Sequence, residues 1–139
     1  MATRTQARES VVGLLYAYDL GNENIAKFSD IILEDKKIRN NQKDFALNLF
    51  NGTIENLKNV DAEISSHLKE REISDVGSVE KAILRLSIYE ILYSSLDKPI
   101  IINEAIELYR VNFNNIDIST YKSIKTKINL DVIDIENKE

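Results

Sequence analysis

The residues of this chain that are able to do chemistry are few, and they stand apart from one another. A single histidine, His67, sits on a polar-looking helix with no second histidine nearby. A histidine so placed reads as satisfied or solvated rather than as a ligand or a base. There is no cysteine, which excludes a thiolate nucleophile, a cysteine zinc site and a disulfide framework. No serine-histidine-aspartate set can be assembled around His67. The four glycines stand alone instead of forming a phosphate-cradling loop. Glu104 and Glu107, at i and i+3, share a helical face. Such a pair holds a metal only where other ligands converge, and the sequence supplies none. The expectation is a protein that is not an enzyme, with no metal, no cofactor and no small-molecule substrate.

The charged residues that demand an explanation lie in GSVEKAILRLSIYEILY, residues 77–93. At 100° per residue this stretch is apolar almost all the way round, which marks a helix buried on every side. Arg85 within it is costly without a carboxylate partner. The nearest candidates are Glu104 and Glu107 on the following helix, so a structural ion pair from Arg85 to one of them is expected. Glu80 falls in the first turn, where the helix dipole favours an anion. That turn is also the part of a central helix most exposed to a partner, together with Lys81.

The elements that must position these residues are helices. Four glycines and one proline punctuate 139 residues, and apolar positions recur at helical spacing. Helices are expected over 4–20, 24–34 and 41–58, then from a cap at Asp61, over 78–93 with Asp75 or Ser78 as cap, from Pro99 onward, and over 119–130. Thr3 with Gln6 forms a capping-box pattern, and Gly21 is a stop signal. PIIIN is rich in β-branched residues, but Glu104, Ala105, Glu107 and Leu108 continue it as a helix. The fold class is therefore all-α: one compact domain of six or seven helices in two packed bundles, about 1–58 and 60–130, with 131–139 a frayed tail.

Net charge is −5 and the sequence pI about 5.0. Affinity for phosphates comes mainly from Lys and Arg, so nucleic-acid binding by an acidic chain needs a local patch or a partner's charge. Basic clusters exist: Arg4 and Arg8, then Lys36, Lys37, Arg39 and Lys43, and finally Lys122, Lys125 and Lys127. On composition alone each is equally well a solvated helix surface. MATRTQARES lacks the apolar core of a signal peptide, and no apolar run approaches the roughly 20 residues of a membrane span. A cytoplasmic protein with no membrane association is expected.

Three blocks, TQARESVVGLLYAYDL, GSVEKAILRLSIYEIL and IIINEAIEL, resemble blocks of the NusB family of transcription antitermination proteins, in the same order and at similar distances. The resemblance covers roughly residues 3–110. It implies an all-helical fold of two small bundles and pairing with the small-subunit ribosomal protein that doubles as NusE. It also implies binding of boxA-type single-stranded RNA in nascent ribosomal-RNA transcripts and action within the RNA polymerase antitermination complex. Carried over by position, Arg4, Arg8, Lys81, Tyr121 and Lys122 would bind RNA, while Tyr16 and Glu80 would face the protein partner. Thr5 and Gln6 depart from more basic relatives. The tail departs further: no glycine follows Gly77, so the family's Asn-Gly pair is absent.

Two other functions stay open at this stage. One is a helical protein-interaction module that has lost RNA binding because of its divergent C-terminus. The other is an accessory RNA-recognition domain of the kind fused to ribosomal-RNA methyltransferases, which is disfavoured because no methyl-donor-binding glycine motif follows.

Overall fold

A Thr3 side chain that accepts from the Gln6 amide, with Gln6 reaching back to the Thr3 amide, starts the first helix. The capping box read from the sequence is thus present. In the computed structural model, which describes residues 2–68 and 72–112, this helix is α1 (Arg4–Asp19). Gly21, at φ 102°, turns the chain just beyond its end, in a conformation that favours glycine. Then follow α2 (Ile25–Asp35), α3 (Asn41–Glu55), α4 (Leu57–Ser65), a short 3-10 turn (Ile73–Asp75), α5 (Ser78–Tyr93) and α6 (Lys98–Asn112). Among the described residues there is no strand, so the all-α fold class holds and PIIIN is helical. The expected helix over 119–130 and the expected frayed tail lie outside the described residues.

α5 is the central helix, as its all-round apolarity requires. Ala82 to Ile88 are buried without interruption, and α1, α3, α4 and α6 all pack against it. The core around it is built from Val11, Leu15, Phe50, Val60, Leu86 and Leu108 among others. α3 approaches α5 closely at Gly52, where a Cβ would collide with the Tyr89 ring. A glycine is needed there for space, not for backbone freedom.

Three boundaries differ from expectation. The helix expected over 41–58 breaks at Asn56, whose side-chain amide donates to the Gly52 carbonyl at 2.8 Å, and α4 starts at Leu57. Asp61 is therefore inside α4 and is not its cap; its carboxylate is used by Arg85 instead. α5 has Gly77 at its cap position with no side-chain cap, so neither Asp75 nor Ser78 fills that role. Pro99 does lie in the first turn of α6, where its missing N–H costs nothing.

Candidate nucleic-acid interface

Helix α1 brings Arg4 and Arg8 onto one side, four residues apart. Both guanidinium groups lie over the Phe45 ring of α3, at 4.1 Å and 5.0 Å from its centroid. There the resemblance ends. Arg4 is exposed, and the ring holds its charge in place while leaving it open to solvent. Arg8 is 4% exposed, and its guanidinium forms a two-pronged pair with Glu90 of α5: Nε donates to Oε1 at 2.8 Å and Nη2 to Oε2 at 2.9 Å. Glu104 of α6 approaches the same guanidinium at 3.9 Å and also accepts from the Thr5 hydroxyl at 3.2 Å. Burial works against the charged guanidinium, but the hydrogen bond and field of Glu90 outweigh it and raise the Arg8 pKa further. In this structure Arg8, expected at the RNA, ties α1 to α5.

The ion pair expected for Arg85 is present, with other partners. Arg85 donates from Nε and Nη2 to the two carboxylate oxygens of Asp61, at 2.9 and 2.8 Å, and from Nη1 to Asp19 at 2.9 Å. Neither Glu104 nor Glu107 is its partner; Glu104 serves Arg8, and Glu107 accepts from Arg110 Nε at 3.0 Å on its own helix. The reason is rotational. Arg85 and Glu90 are five residues apart, about 140° round the helix, so one faces α1 and α4 while the other faces α1 and α6. Lys81, expected at the RNA, joins the Asp19 carboxylate at 3.1 Å, one turn from Arg85. Partial burial pushes the Asp19 pKa up, but hydrogen bonds from Lys81 and Arg85 overcome this and hold it below the usual carboxylate range. The two networks join α1 to α5 at opposite ends: Arg8–Glu90 near the start of α1, Asp19–Arg85–Lys81 at its last residue.

Tyr16 is 38% exposed and lines an open groove of about 1190 Å³ between α1 and the loop joining α2 to α3. Val79, next to Glu80 in the first turn of α5, lines the same groove, so both expected partner-facing positions are near one another. Glu80 itself is half-buried. Tyr121 and Lys122 lie outside the described residues. Sequence reading missed the roles of Asp19, Asp61, Glu90 and Phe45. Glu90 carried a signal, since it is a carboxylate within an apolar helix. The partners of Arg85 carried none, because they come from α1 and α4, remote in sequence.

Helices held together by buried ion pairs, with Arg4 over Phe45 and open to solvent, define a small all-helical protein. The family model described as "NusB family" matches residues 5–117. The chain belongs to the NusB family. The transcription antitermination protein NusB of Aliarcobacter butzleri is 75% identical over 108 residues, covering 78% of this chain and 82% of that protein. That of a Sulfurovum species is 68% identical over 108 residues, covering 78% and 83%. The expectation of a non-enzymatic protein agrees with this membership. A solved structure of antitermination factors NusB and NusE in complex with dsRNA has a TM-score of 0.75 at 24% identity, over 93% of this chain and 95% of that one, which shows the shared fold.

Proposed function

We propose that this protein is a transcription antitermination factor that binds boxA-type single-stranded RNA of nascent ribosomal transcripts together with the ribosomal protein NusE. In the cytoplasm it joins the RNA polymerase complex and helps it pass terminators. The observation that carries the reading is the 75% identity, over most of both chains, to a protein named for transcription antitermination. The geometry supports it. Arg4 is exposed and held on Phe45, so it is available to phosphate, and Lys81 retains donors beyond its bond to Asp19. Tyr16 and Glu80 supply the protein-facing surface. A chain of net charge −5 gains from a basic partner that adds the cations RNA requires.

The end of the family match at residue 117 favours the second reading, an interaction module without RNA binding. In vitro transcription through a terminator preceded by a boxA sequence separates the two. The reading requires that adding this protein with NusE raises read-through above NusE alone. Unchanged read-through, with NusE binding intact, would favour the interaction module.

A further inference from the structure

The groove between α1 and the α2–α3 loop holds a basic cluster that the reading above leaves unused. We infer that this groove carries the phosphate backbone of single-stranded RNA, with Lys36 and Lys37 as its phosphate contacts; the inference rests on the RNA-binding reading.

Several observations lead there. Ile38 is buried and anchors the loop to the core. On either side of it Lys37 and Asn40 adopt left-handed backbone, at φ 63° and 56°. Asn tolerates this conformation, but lysine does so at a cost, so the turn holds Lys37 in a fixed and unfavourable place. Lys36 reaches across the groove: its Nζ lies 3.8 Å from where a Cβ would sit on Gly13 of α1. Two of the acids near the loop are engaged by other cations, while Asp35 and the groove-lining Glu9 are not, among the described residues. Glu34 binds Arg39 at 3.1 Å and Lys43 at 2.8 Å, and Asp30 binds Lys43 at 3.1 Å. Among the described residues Lys36 and Lys37 form no ion pair, so two exposed cations face a groove in an acidic protein.

The lining also suits a nucleic acid. Gln42 has its Oε1 buried with no hydrogen-bond partner among the described residues, and a buried acceptor left so is costly. A base amino group or a ribose 2′-hydroxyl supplies the missing donor. The neighbouring amides of Asn41 and Gln6 offer the same kind of contact.

The test compares two double variants that remove the same charge. Lys36→Gln with Lys37→Gly deletes both cations, and glycine keeps the left-handed turn. Lys27→Gln with Lys58→Gln removes two exposed cations outside the groove. Fluorescence anisotropy with a labelled single-stranded boxA RNA, across a salt series, reads the result. The groove variant should bind about tenfold more weakly at physiological salt, with its salt slope reduced by about 1.4, two phosphate contacts' worth for a single strand. The control should stay within about twofold of wild type. Wild-type affinity and slope in the groove variant would overturn the groove assignment while leaving RNA binding intact. Loss of NusE binding with RNA affinity unchanged would place a protein in the groove and overturn it too. Failure of the wild-type protein with NusE to bind the RNA at all would overturn the underlying reading.

Discussion

Replacing Arg8 by alanine tests whether its charge serves the fold or the RNA. In the folded protein both Arg8 and Glu90 have side chains only 4% exposed, and they share two hydrogen bonds of 2.8 and 2.9 Å. Removing the guanidinium leaves a carboxylate buried between α1 and α5, with Glu104 also near. Breaking a buried pair from one side costs about 3–5 kcal/mol, most of it from the stranded charge. With an unfolding entropy near 2.1 cal/mol/K per residue, a domain of this size loses about 3–4 °C per kcal/mol. Thermal unfolding followed by circular dichroism should therefore show Arg8→Ala melting about 10–17 °C below wild type. Removing both charges with apolar residues of similar volume, Arg8→Met with Glu90→Leu, should recover most of that loss, because no charge is stranded. Measured well below its melting point, Arg8→Ala should keep the wild-type salt slope for RNA. A melting point within about 2 °C of wild type, or a salt slope reduced by about 0.7, would refute the reasoning and return Arg8 to the RNA surface.

Leu86→Ala, at the buried centre of α5, should destabilise the domain by about 2–5 kcal/mol in urea titration, and a loss below about 1 kcal/mol would mean that α5 is not central. Gly52→Ala should cost about 1–3 kcal/mol by forcing the Tyr89 ring aside, and Tyr89→Ala in the same background should remove most of that added cost, making the pair less than additive. Because the Asp19 pKa is lowered by folding, its contribution to stability is complete above about pH 4 and is lost as pH falls through the folded value. Asp19→Asn should accordingly lower stability at neutral pH and flatten the acid limb of the stability–pH curve; an unchanged acid limb would exclude Asp19 from it.

How far these features were legible in the sequence depends on how local their causes are. The Thr3–Gln6 cap, the Gly21 turn and the all-round apolarity of residues 78–93 depend on neighbours in the chain, and each is present in the structure. Asn56 ended a helix early through one side-chain bond to Gly52, a choice that apolar periodicity does not encode. The need of Arg85 for a carboxylate was readable from its surroundings. The identity of that carboxylate was not, since Asp19 and Asp61 reach it only after α1 and α4 have packed on α5. The partner of Arg8 was hidden for a related reason: sequence shows a cation near the start of a chain, while only the packed helices show Glu90 beside it. The basic cluster at 36–39 was visible as charge, but its groove exists only between two elements distant in sequence.

The central claim is that this protein and NusE bind RNA together, each supplying what the other lacks. The most direct measurement is the dissociation constant of a labelled single-stranded boxA RNA for this protein alone, for NusE alone and for the two together, at one fixed salt concentration. Weak binding by the acidic chain alone is expected, with at least tenfold tighter binding by the pair than by either component, equivalent to about 1.4 kcal/mol of coupling or more. Binding by the pair no tighter than by NusE alone would contradict the claim.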